Sequence, residues 1–323
     1  MGIQTVTGEL APEQLGKTLM HEHFFFDYAG FQGDRTLAGR SIETLLEEAS
    51  RAAAIMKKHG VKTVIDPTPS DCGRDATILK ALSERTGIHI ICASGYYYEG
   101  EGGPAYFKFR QALGTAEQEI YDLLKTEVTE GIEGSGIKAG VIKLASSKDQ
   151  ITPYERMFFV AAAQVQKETG VPIVTHTQEG TMGPEQAKLL VENGGIPEKI
   201  IIGHMCGNND IDYQLRTLDY GVNVAFDRFG LQNLVGAPTD DRRIGTFMGL
   251  IALGFEDRLF LSHDTVNVWL GRPPQMPPEM KEALKNWQPG HLFENILPKM
   301  KQGGLTDEQI DKIFVRNIQR VFS

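Results

Sequence analysis

Short apolar, β-branched runs alternate along the whole chain with longer segments of helical period, and this rhythm limits the fold more than any other feature. Strands are expected within Leu19–Phe26 and at Val61–Ile65, Ile88–Ser94, Ala139–Leu144, Val171–Thr175, Lys199–Gly203, Val222–Phe226 and Arg258–Ser262. Helical segments follow them at Ser41–His59, Asp75–Gly87, Thr115–Glu133, Thr152–Gly170, Gly183–Gly194, Asp212–Tyr220, Arg242–Gly254 and His291–Phe322. Thr152-Pro153-Tyr154-Glu155 is the clearest helix start, with a capping threonine, proline at the first position and glutamate at the third. Roughly eight βα units close a TIM-type (β/α)8 barrel. With no Ser/Gly-rich linker between units, residues 1–323 are expected to form one domain. An open doubly wound sheet would need a Gly-rich turn after the first strand, where Met20-His21-Glu22-His23 stands instead.

Charge and composition exclude several partners. The net charge of −9 carries no basic cluster, which argues against nucleic acid and against anionic membrane surfaces. No apolar run reaches the ~18 residues of a membrane helix. Cys72, Cys92 and Cys206 lack metal-type spacing and read as buried thiols in a reducing compartment, so a cytoplasmic protein is expected.

The polar residues are informative because of where they fall. His21, His23, Lys143, His176, His204 and Asp264 all lie at or just beyond the last apolar residues of expected strands. A barrel brings those ends together at its C-terminal mouth, where barrel enzymes place their catalytic groups. On an extended strand His21 and His23 share one side, with Glu22 on the other. Any one strand-end histidine can be a hydrogen-bonded core residue; six coincident positions favour a metal centre, since imidazole and carboxylate are ligands of first-row metals. A lysine at that mouth is either neutral or salt-bridged, or is converted by carbon dioxide to a carbamate that bridges two metals as a carboxylate does.

HEH at residues 21–23, GVIKLAS around Lys143, VTHT around His176, IIGHM around His204 and LSHD around Asp264 together resemble the phosphotriesterase family of the amidohydrolase superfamily, over nearly the whole chain. The resemblance implies a (β/α)8 barrel with a binuclear metal site at its C-terminal face. It further implies that His21, His23 and Asp264 hold the more buried ion, that His176 and His204 hold the more exposed one, and that carboxylated Lys143 and a hydroxide bridge them. Zinc is the default, with cobalt, manganese or iron as substitutes. Asp264 would be ligand and base together, and Asp66 is a candidate partner for a free histidine nitrogen. A homodimer is expected on the same ground.

The family includes triesterases, lactonases and carboxylesterases. Phe226-Asp227-Arg228-Phe229-Gly230 resembles the lactonase pattern with an arginine at the pocket, and Tyr97 resembles the lactonases' pocket tyrosine. Val266, Val268, Trp269, Leu270, Met276 and Trp287 are candidates to wall an apolar pocket. The expected function is a phosphotriesterase-like lactonase with promiscuous organophosphate triesterase activity. The alternatives are a carboxylesterase or phosphate-ester hydrolase on the same site and, last, a non-catalytic metal-binding barrel. One departure stands out: relatives carry a relay aspartate three residues after the histidine of strand six, and this chain has Gly207 there, with Asp210 displaced. Either proton release passes through solvent or His263, or the substrate range differs from that of typical lactonases; His263 alternates away from Asp264 and reads first as structural. His59 and His89 are not expected to act.

Overall fold

The computed structural model describes residues 2–234 and 236–323. Among the described residues the strands are β1 (Ile3–Thr5), β2 (Gly8–Leu10), β3 (Thr18–Leu19), β4 (His23–Phe26), β5 (Thr63–Asp66), β6 (His89–Gly95), β7 (Val141–Ser146), β8 (Ile173–Thr177), β9 (Ile200–Ile202), β10 (Asn223–Phe226), β11 (Leu259–Leu261) and β12 (Val266–Trp269). Eight make a parallel sheet in the order β3-β5-β6-β7-β8-β9-β10-β11, each joined to the next through helical segments. The circle closes one level higher, where β12 pairs in parallel with β4 and Val266 lies opposite His23. The architecture is the expected TIM-type barrel, but its first and last strands are each broken into two pieces at the seam.

Two apolar layers hold it together. Met20, Ile65, Ile91, Ala93, Val141, Val174, Ile201, Ala225 and Phe260 fill the barrel interior, and Ile318, Val321 and Phe322 pack against the same cluster. The other face of each strand packs on helices whose buried residues recur at helical spacing, as Leu45, Ala49, Ala52 and Met56 do in the helix Ile42–Lys58. A fully buried phenylalanine such as Phe159 or Phe226 contributes about 1.5–3 kcal/mol by leaving water.

The helix Pro153–Thr169 starts as its sequence demands. Thr152 Oγ1 accepts from Glu155 N at 3.2 Å, and Glu155 Oε2 accepts from Thr152 N at 2.8 Å. Glu155 Oε1 also accepts from the backbone N–H groups of Glu99 and Ser147, both at 3.1 Å, so one cap ties down the loops after β6 and β7.

The strand period explains how the mouth is furnished. Val141, Val174 and Ala225 face the interior, so Lys143, His176 and Asp227, two residues further along, face it too. Gly95 makes room for this arrangement. It has φ +132, and a Cβ there would lie 1.9 Å from the Lys143 carbonyl oxygen. The sequence does not announce the hairpin β1–β2, the helices Arg35–Ala38, Ala105–Ala112 and Pro278–Ala283, or β12, which falls in a segment expected to wall the pocket. Among the described residues no helix is long and apolar enough to cross a membrane, and Cys72, Cys92 and Cys206 are buried free thiols.

Candidate metal centre and pocket

The C-terminal mouth gathers all six expected ligand residues, each nearly closed to solvent. His23 Nε2 lies 3.1 Å and His21 Nε2 3.4 Å from Asp264 Oδ1, and ligand atoms of these three residues all fall within 4.8 Å of one another. Lys143 Nζ is 3.0 Å from His21 Nε2, and His204 Nε2 is 3.7 Å from Asp264 Oδ2. His176 sets its ring edge-on to His204 at 4.5 Å between centroids. Its Nε2 faces Gln178 Oε1 at 2.7 Å, which leaves Nδ1 for a ligand. His204 and Asp264 both sit on left-handed backbone, φ +57 and +56, a strain that clusters at functional positions.

Protonation favours metal binding. Burial, followed by the charge of Lys143, lowers His21 to about 3. Burial likewise pushes His176 and His204 below the usual imidazole range. Neutral rings present the lone pair that a cation needs. Burial brings Lys143 down to about 8 against the pull of Asp264 and Asp227, so a free amine is accessible near neutrality. For Asp264, burial acts to raise the carboxyl, but His204, His21 and Arg228 outweigh it and hold Asp264 ionised, well below the carboxylate range. Neutral imidazoles, an ionised carboxylate and a buried lysine whose free amine is accessible near neutrality fit divalent cations.

The carboxylate that orients the histidines is Asp227, which the sequence reading treated only as part of the Asp227-Arg228 pattern. Its Oδ2 meets His21 Nδ1 at 2.8 Å; its Oδ1 meets His204 Nδ1 at 2.9 Å and accepts the His204 backbone N–H at 2.8 Å. Both rings must therefore carry their proton on Nδ1 and turn Nε2 inward. Asp66 is corrected to a more remote part. It is 3.8 Å from His23 Nδ1, and Thr68 Oγ1 stands between, 2.7 Å from that nitrogen. Parity from Ala225 along β10 was the signal for Asp227.

His263 is structural, as its alternation implied. Its Nδ1 donates to Glu22 Oε1 at 2.7 Å and its Nε2 accepts from Leu292 N at 3.0 Å. Asp210 caps the helix Ile211–Leu218, accepting from Asp212 N at 2.9 Å. His59 pairs with Glu294 away from the site.

Above the cluster lies a cavity of about 300 Å³, with Arg228 and Tyr97 at its charged floor and Leu231, Leu234, Trp269, Met276, Met280 and Trp287 among its walls. Arg228 Nε donates to Asp264 Oδ2 at 2.8 Å, so the arginine is both ion-paired and pocket-lining. Tyr97 stands edge-on to His176 at 5.0 Å. Val266 lines the cavity with these residues, but Val268 and Leu270 do not: both pack on the hydrophobic core.

A (β/α)8 barrel whose mouth carries such a cluster beneath a small-molecule pocket has the make-up of a metal-dependent hydrolase. The chain belongs to the phosphotriesterase family, whose model matches residues 1–322. An aryldialkylphosphatase of Saccharolobus solfataricus is 34% identical over 318 residues, covering 96% of each chain. The organophosphorus hydrolase of Deinococcus radiodurans superposes with a TM-score of 0.99 at 53% identity, covering 100% of this chain and 97% of that one. A third structure, described as engineering of organophosphate hydrolysis from a weak promiscuous lactonase template, has a TM-score of 0.98 at 51% identity, with 100% of both chains covered.

Proposed function

We propose that this protein is a lactonase with a lower, promiscuous organophosphate triesterase activity, acting as a cytoplasmic homodimer. The observation that carries this reading is the apolar chamber set directly on a charged floor of Arg228 and Asp264, which suits a ring ester bearing an apolar chain. The likeness to a lactonase template supports it.

In this reading His21, His23 and Asp264 would hold one ion, His176 and His204 the other, and a carboxylated Lys143 would serve both, with zinc the metal that best suits the donors. Such a pair of ions, when bound, would supply a hydroxide nucleophile at neutral pH and polarise the ester oxygen. Asp264 would act as the base that takes up the nucleophile's proton, while Arg228 and Tyr97 would orient the substrate. With Gly207 at the relay position and both His263 nitrogens engaged, Asp264 passes its proton to solvent.

A panel of lactones, aryl esters and paraoxon-like triesters tests the assignment: kcat/KM is expected to be highest for lactones and lowest for triesters. Turnover of simple esters above that of lactones would reject the lactonase reading.

Carboxylation of Lys143 has its own pH signature. Only the free amine attacks carbon dioxide, and for a group at about 8 that fraction rises nearly tenfold per pH unit below 8 and then levels. The rate at which metal-free enzyme regains activity with zinc, at fixed dissolved carbon dioxide, should follow that curve. A rise continuing to about pH 10, the value of an unperturbed lysine, would contradict it.

A further inference from the structure

Glu22 lies between two proposed ligands, yet it turns away from the metal centre and is fully buried. Its carboxylate reaches across the seam where the barrel's first and last strands are broken. Oε1 accepts from Ser262 Oγ at 2.7 Å, His263 N at 2.9 Å and His263 Nδ1 at 2.7 Å. Oε2 accepts from Thr265 N at 3.0 Å and Thr265 Oγ1 at 2.5 Å. A carboxylate accepts at both oxygens and donates at neither, which suits five converging donors.

Two of those donors are the backbone N–H groups on either side of Asp264, whose φ is +56. A non-glycine residue keeps that conformation only where its surroundings impose it. Glu22 binds both flanking peptides, while Asp264 N donates to His21 O at 3.0 Å and His23 N to Thr265 O at 2.9 Å. The backbone contacts fix the register, and the carboxylate fixes the turn that aims Asp264 inward.

We infer that Glu22 is a positioning residue: it locks Asp264 against the His21/His23 pair across the seam, so that retention of one of the two metal ions depends on it. The inference rests on the ligand assignment proposed above.

The test is chelator competition on the metal-loaded enzyme, resolving two ions per chain, with calorimetry of the metal-free form. Glu22→Gln keeps the shape but turns an N–H₂ toward donors. It should weaken one ion about 10–100-fold and spare the other, in a chain that still folds. Thr265→Val, which removes a single donor, should weaken the same ion a few-fold, and it decides the matter if Glu22→Gln does not fold. A merely structural role would lower the metal-free Tm and weaken both ions alike. That result overturns the inference, as does wild-type retention in the variants while Asp264→Ala loses one ion. If Asp264→Ala itself keeps both ions, the ligand assignment falls first and the role of Glu22 with it.

Discussion

Lys143→Ala should strip the enzyme of metal and activity together. The amine sits at the centre of the cluster, 3.0 Å from His21 Nε2 and fully buried, and its carbamate is proposed as the only bridge between the two ions other than hydroxide. Without it, neither ion keeps its full set of donors. Metal analysis after purification without chelator should find less than the full complement, and kcat/KM for lactones should fall by roughly three orders of magnitude, about 4 kcal/mol of barrier. The metal-free variant should still fold, because the substitution removes a costly buried amine as well as packing volume. Short carboxylic acids added in solution should restore part of both metal content and rate by occupying the space of the lost side chain. Full metal content and full activity in the unrescued variant would disprove the bridging role.

Asp227→Asn is the second large effect, and it works through tautomers. Asp227 receives the Nδ1 protons of His21 and His204, which leaves both Nε2 lone pairs facing the centre. An asparagine has the same shape but one oxygen and one N–H₂. The ring that meets the N–H₂ must accept at Nδ1, so its proton moves to Nε2 and that nitrogen can no longer bind a metal. Metal affinity should drop about 10–100-fold, and the strained pairing should cost the metal-free protein about 1–3 kcal/mol. Competition titration measures the first and denaturant unfolding the second. Unchanged metal affinity would mean that Asp227 does not set the tautomers.

Acid should act on the same carboxylate. Burial works to raise the Asp227 carboxyl, but His204, His21 and their hydrogen bonds outweigh it and leave the group below the usual range. Its folded value is thus lower than its unfolded value of about 4. The stability it contributes is present above that unfolded value and is lost as pH falls toward the folded one. Metal-free protein should lose stability progressively below about pH 4, as urea midpoints across that range would show; a flat midpoint would remove Asp227 from the account.

Much of this was legible in the sequence because it depends on local periods. Alternating strand and helix patterns give the barrel, and polar residues at or just past the last apolar residues of its strands give Lys143 and His176. Asp227 also follows the end of its strand, two residues after the interior Ala225, but its place beside Arg228 hides its role as a partner of the histidines. Glu22 was harder to read. On the strand period it points away from the site, and its partners Ser262, His263 and Thr265 lie some 240 positions away in the chain. The one local clue was an acid inside the apolar run Leu19–Phe26, since a buried carboxylate needs donors. The seam was equally hidden: β12 follows Asp264 in a stretch whose Val266 and Trp269 line the pocket while Val268 packs inward, so its alternation looked like a cavity wall.

The most direct test of the central claim is native mass spectrometry of the active enzyme, purified without chelator, paired with metal analysis of the same sample. Two divalent ions per chain are expected, together with the added mass of one carbon dioxide, which is lost in Lys143→Ala. A chain that hydrolyses lactones at full rate with one ion or none, and with Lys143 unmodified, would contradict it.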